Sequence, residues 1–146
     1  MTRTAALLLI LFSPLVAAPV PKPLKKQDDR KAILGYWRGD VLNPGQGGNP
    51  NFYRFHFGDD GTCGIGSGST PSAPDSSSEY ALDPTHTPKR MKWLNGPQKT
   101  EWLCVYELDG DVLRVGFVHA KSEVPPDVTP RAGVTVYELK RVIETK

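Results

Sequence analysis

The segment Glu101 to Val118 (EWLCVYELDGDVLRVGFV) constrains this chain more than any other. Asp109-Gly110 is the dipeptide of a two-residue hairpin turn that needs left-handed backbone at its centre. With that turn the register pairs Leu108 with Asp111, Tyr106 with Leu113, Cys104 with Val115 and Trp102 with Phe117. All but the first pair are apolar and share one face. The opposite face (Leu103, Val105, Glu107, Val112, Arg114, Gly116) is mixed, so the first is expected to face the core.

The rest of the chain repeats this grammar. Strand-like runs at Tyr36–Leu42, Phe52–Phe57, Thr62–Gly66, Glu79–Leu82, Arg90–Leu94 and Gly133–Arg141 join the two hairpin strands to make eight. Stretches such as Asn43 to Asn51 (NPGQGGNPN) and Ser67 to Ser78 (SGSTPSAPDSSS) separate them and are read as loops without regular structure. No run suits a helix long enough to cross between parallel strands. The pattern predicts an all-β antiparallel sandwich or up-and-down barrel. A short N-terminal helix is expected over Asp29 to Leu34, capped by Asp28 and ended by Gly35.

In the second hairpin, Tyr53, Phe55 and Phe57 alternate with Arg54 and His56, so the rings point inward. A four-residue turn at Gly58-Asp59-Asp60-Gly61 places Cys63 opposite His56 and therefore outward, whereas Cys104 points inward. A bulge in that glycine-rich turn would flip Cys63.

The N-terminus reads as an export signal. Arg3 precedes the apolar run Ala5 to Phe12, and small residues follow through Ala18. The run is far shorter than the roughly 20 residues of a membrane span. Residues 1–18 are assigned as signal peptide, 19–31 as a proline- and lysine-rich spacer, and 32–146 as one β domain. Val16 and Ala18 suit cleavage after Ala18, although Pro19 would then follow the cut; cleavage after Ala17 is the other choice. The expected location is periplasmic or extracellular. The formal charge of +2 falls to +1 without Arg3, which gives no electrostatic footprint for nucleic acid. Two cysteines in an exported chain suggest a disulfide between Cys63 and Cys104, worth roughly 3–4 kcal/mol for a loop of about 40 residues. The predicted register, with Cys63 outward and Cys104 inward, argues against the bridge; the alternative is two separate buried thiols, and both readings stand.

Little here suggests catalysis. His56, His86 and His119 lack ligand-like spacing, so no metal or cofactor is expected. The acid pairs Asp59-Asp60 and Asp109/Asp111 flank turns and are read as solvated turn acids, because a catalytic acid or base needs burial or a partner to tune it. Lys89 to Trp93 (KRMKW) is read by alternation, with Met91 and Trp93 inward, Arg90 and Lys92 in solvent, and Lys89 simply joining the cation cluster. No buried polar cluster is expected inside the fold. The inward list is instead aromatic: Tyr53, Phe55, Phe57, Trp93, Trp102, Tyr106 and Phe117. Eight strands closed into a barrel enclose either a filled interior or room for one small ligand. The expected partner is thus a small apolar or amphipathic ligand, against the alternative of a structural or protein-interaction domain with a filled core.

Leu34-Gly35-Tyr36-Trp37 resembles the glycine-x-tryptophan opening of lipocalin-like barrels. Tyr80 to Pro84 (YALDP), Pro88-Lys89 and Val105 to Leu113 (VYELDGDVL) resemble an uncharacterised lipocalin-like domain family abundant in planctomycete bacteria. The resemblance spans roughly Leu34 to Arg141. It implies a lipocalin-like up-and-down barrel or strongly bent sheet, and export, with no established activity. Two departures stand out: Gly116 occupies a position usually held by cysteine, and Thr129-Pro130-Arg131 stands where arginine-proline is usual. The resemblance further implies that Arg141, inward by parity with Tyr137 and Leu139, lies across Trp37.

Overall fold

A computed structural model describes residues 28–43, 52–68, 76–118 and 123–143. The assigned signal peptide, most of the spacer, and residues 44–51 and 69–75 lie outside the described residues. Eight antiparallel strands run in chain order: β1 (Gly35–Val41), β2 (Tyr53–Phe57), β3 (Thr62–Ser67), β4 (Ser76–Asp83), β5 (Lys89–Asn95), β6 (Thr100–Asp109), β7 (Val112–Val118) and β8 (Val134–Arg141). Each pairs with the next, and β8 pairs with β1, closing an up-and-down barrel. Closure leaves no unpaired sheet edge. β4 starts at Ser76, inside the serine-rich stretch read as loop from composition.

Among the described residues a short helix, α1 (Asp29–Ala32), precedes β1, and its first turn is capped by the Asp28 carboxylate, which accepts from the Arg30 amide. It ends two residues earlier than expected: Ile33 is its C-cap, and Gly35 opens β1 instead. Ile33 is completely buried, and its carbonyl accepts from the Trp37 indole at 2.7 Å. With the side chain of Asp29 also buried, the ordered unit reaches into the stretch assigned as spacer. Helix α1 lies at the end of the barrel where β1 begins and β8 finishes; we call this the closed end.

Two registers differ from expectation, with opposite consequences. In the β6–β7 hairpin Asp109 pairs with Val112 and Tyr106 with Val115, so the loop is Gly110-Asp111, not Asp109-Gly110. Among the described residues only Gly110 of this loop has positive φ (+55°), which suits a turn with glycine at its first central position. The pairing slips by two positions, an even number, so the same side chains still face inward. In the β2–β3 hairpin Phe57 pairs with Cys63, one position away from the expected partner. Gly61, at φ +83°, follows a turn closed by its amide on the Gly58 carbonyl, making a three-residue loop with a glycine bulge. An odd shift inverts the strand's faces. Cys63 is therefore inside, 2% exposed, within the same core cluster as Cys104.

That core holds Trp37, Phe55, Phe57, Met91, Tyr106, Leu113 and Leu139, all effectively without solvent contact. A smaller second cluster lies on the outside, where residues 123–130 cross β6, β7 and β8. Val128 covers Val105, Val134 and Val136, which explains why the mixed outer face of the hairpin buries Val105 completely. A Cβ on Gly116 would lie 3.3 Å from the Asp127 carbonyl oxygen, so the crossing segment leaves little room for the cysteine of the resembled family. Among the described residues no helix is long and apolar enough to cross a membrane.

Candidate functional site

Among the described residues, the end of the barrel opposite α1 is open. There, β3, β5, β6, β7 and β8 surround a cleft of about 400 Å³. Its walls are Trp93, Trp102, Phe117 and Tyr137 with Ile65 and Val118, and its two uncharged polar side chains are Asn95 and Thr135. Trp93 and Trp102 are direct cross-strand partners, so one register pair supplies two indoles to the same wall. Edge-on contacts tie the lining together: Trp93 meets Phe117 at 5.9 Å between centroids, and Phe117 meets Tyr137 at 5.7 Å. Behind them Phe55, fully buried, meets Trp93 at 5.9 Å and Tyr137 at 5.2 Å. Such interlocked rings hold one another in place and keep the wall rigid. Burial pushes the Tyr137 phenol up to about 12, so it stays a neutral donor.

Of the seven inward aromatics read from sequence, the structure brings Trp93, Trp102 and Phe117 to the cleft. Tyr53 packs edge-on against Tyr137 at 5.0 Å without lining the cleft. Phe55, Phe57 and Tyr106 lie deeper, in the solid core. Parity along β8 had already placed Tyr137 inward with Leu139, and the same parity covers Thr135. Ile65 alternates with Gly64 and Gly66, so its direction depended on the β2–β3 register. Asn95 has the inward parity of Met91 and Trp93 but lies one residue beyond the strand read over Arg90–Leu94.

The closed end contains a buried polar cluster, contrary to the expectation of none inside the fold. Asp29, its side chain 2% exposed, accepts from the Tyr106 hydroxyl at 2.9 Å and from the Lys89 ammonium at 2.7 Å. Lys89, read from sequence only as a further member of the cation cluster, has the parity of Met91 and Trp93 and lies 5.9 Å over the Tyr106 ring. Arg90 is exposed as expected, and Lys92 pairs with Glu101 at 3.2 Å. Burial, reinforced by the Asp29 hydrogen bond and charge, raises the Tyr106 pKa strongly. The other Asp29 oxygen, Oδ1, is buried without a partner. This arrangement fastens α1 to the barrel wall.

Arg141 adds a second fastening. Its guanidinium carbon lies 4.3 Å from the Trp37 ring centroid, while its nitrogens donate to the Asp111 carboxylate and the Leu34 carbonyl, both at 2.8 Å, and to the Ala32 carbonyl. Asp111 is thus an ion-pair partner as well as a turn residue. At the other turn, Asp60 accepts from the Thr62 hydroxyl and amide, which hold its carboxyl below the usual range. Cys63 and Cys104 are unbridged, both buried. Desolvation pushes Cys63 up to about 12 and raises Cys104 further, leaving two inert thiols rather than nucleophiles. A second concavity of about 500 Å³ lies outside the closed end, but its rim includes the exposed charges of Asp28, Arg30, Lys31 and Asp59. No family model, curated protein or solved structure matches this chain.

Proposed function

We propose that this chain is an exported, non-catalytic barrel that holds one small apolar or amphipathic ligand in the cleft at its open end. The observation that carries the reading is the aromatic lining of that cleft. Its volume of about 400 Å³ falls within the usual span for small-molecule sites, which combine apolar walls with a few polar groups for orientation. Asn95 and Thr135 are such groups, and neither carries a charge that an apolar ligand would have to desolvate. The solid lower half of the barrel supports the other reading, a structural or interaction domain, because it leaves room for a ligand at one end only.

Native mass spectrometry of protein purified from its own host separates the two. A reproducible adduct, released on unfolding and lost when the cleft is filled by Ile65→Trp, supports the ligand reading. Repeated spectra of ligand-free protein, together with no uptake of neutral apolar probes, overturn it in favour of the filled-core domain.

A further inference from the structure

The outer face of β2, β1 and β8 carries an unexpected row of cations. Arg38 on β1 sits directly opposite Arg54 on β2 and directly opposite Lys140 on β8. Like charges facing one another across a sheet are unfavourable unless something compensates them. On its other side Arg54 faces Gly66 of β3, which has no side chain to offer. Arg54 points outward by alternation, yet the residue is only 8% exposed. Its Nε and one terminal nitrogen are buried without a hydrogen-bond partner, and the other terminal nitrogen reaches the Ser67 carbonyl at 3.5 Å. Of the acids on this face, Glu138 is held by Arg114 at 2.6 Å, and Asp40 accepts from the Val41 amide at 2.8 Å.

A guanidinium is a planar fork of five donors, matched to the two oxygens of a carboxylate, sulfate or phosphate group. Leaving such a fork desolvated and unpaired is among the costlier things a fold can do. We propose that Arg54, supported by Arg38 and Lys140, forms a binding site for an oxyanion on the outside of the barrel, separate from the apolar cleft. The group belongs either to a free inorganic ion or to an acidic sugar. For the sugar, the half-exposed Tyr36, stacked on His56 with centroids 4.4 Å apart and one row toward the closed end, offers a ring platform beside the cations.

The test is a titration of the full-length protein with sodium sulfate, followed through the arginine Nε–H signals in nitrogen-15 NMR. A sodium chloride series of matched ionic strength serves as the reference. The Arg54 signal is expected to shift saturably in sulfate and not in chloride. Lys140→Gln, an exposed substitution, is expected to raise the half-saturating sulfate concentration at least threefold, and Arg54→Lys to abolish saturation. An unsaturable shift, an equal shift in chloride, or unchanged half-saturation in Lys140→Gln overturns the site. Should Arg54→Lys not fold, the wild-type and Lys140→Gln titrations decide alone. Repeating the titration with a sulfated tetrasaccharide identifies the source. Half-saturation at a tenfold lower concentration assigns an acidic sugar, and similar concentrations assign the free ion; both uphold the oxyanion site.

Discussion

Arg141 stands directly opposite Trp37 across the β1–β8 seam, and its guanidinium carbon lies 4.3 Å from the indole centroid. The pair forms where the last strand closes on the first, and the same guanidinium also holds carbonyls of the residues leading into β1. Its stacking term is expected to be about 1–2 kcal/mol, because the indole is fully buried and the side chain of Arg141 is only 24% exposed. Trp37→Phe, Arg141→Ala and the double variant, compared by chemical denaturation, should show coupling of that size. Additive losses would mean that Arg141 acts only through its hydrogen bonds.

The ion pair between Asp29 and Lys89 is lopsided, and that decides which partner matters more. The Asp29 side chain is 2% exposed and Lys89 38%. Removing the carboxylate by Asp29→Ala frees Lys89 to turn to water but leaves the Tyr106 hydroxyl buried and unpaired, a loss of about 1–3 kcal/mol. Removing the ammonium by Lys89→Met leaves a buried carboxylate with Tyr106 as its donor and one oxygen without a partner. That loss should be larger, about 3–5 kcal/mol. Denaturant midpoints for the two variants provide the comparison; equal losses would show that water reaches Asp29.

How far the sequence spoke depended on whether an error in it was even or odd. The β6–β7 loop was displaced by one residue, which moved the pairing by two and left Tyr106, Leu113 and Val115 inside. The β2–β3 loop has three residues, closed by the bulge at Gly61, where four were expected, which moved the pairing by one and turned Cys63 inward. Alternation therefore located the strands, the barrel class and the aromatic interior, because these rest on local period and composition. It did not separate wall from core among the aromatics: Phe55 and Trp93 have the same parity and differ only in height along the barrel. Nor did it foresee Asp29, whose partners Lys89 and Tyr106 are distant in the chain and meet it only once α1 folds over the closed end. The burial of Val105 was hidden for the same reason, since a segment distant in sequence covers it.

Alkali should unfold this protein earlier than its surface charge alone suggests. Burial raises the pKa values of Cys63 and Tyr137 to about 12 and also raises those of Cys104, Tyr106 and Tyr80. Each group keeps its proton to higher pH in the folded chain than in the unfolded one. Above the unfolded values the unfolded state therefore holds fewer protons, and stability falls as pH rises. The decline should begin near pH 9 with the thiols and steepen above pH 10 as the phenols join, each group contributing at most about 1.4 kcal/mol per pH unit. Urea midpoints measured from pH 8 to 11 test this, and a flat profile across that window would contradict the burial of these groups.

The same burial makes a chemical prediction for the two cysteines. Intact native protein should resist iodoacetamide at pH 8, because both thiols are desolvated and protonated and neither reaches solvent. In denaturant both should alkylate, and mass spectrometry should find two modifications without prior reduction. Protein that takes up label only after reduction would carry a Cys63–Cys104 bridge, contrary to the unbridged arrangement.

The cleft makes the sharpest prediction, because part of its lining, Ile65 and Phe117 included, is only partly buried. Ile65 borders the cleft from β3 and is only partly buried, so Ile65→Trp should project a larger ring into open space and cost less than about 1.5 kcal/mol. Nile red, neutral and apolar, should bind the wild-type protein with a saturable blue shift. Phe117→Ala should weaken that binding by removing a ring that meets both Trp93 and Tyr137. Ile65→Trp should weaken it at least tenfold by occupying the space. Tyr36→Ala, on the outer face, should leave it unchanged. Equal binding by wild type and Ile65→Trp would place the dye elsewhere, and the aromatic mouth of the barrel would then be a packed end rather than a binding site.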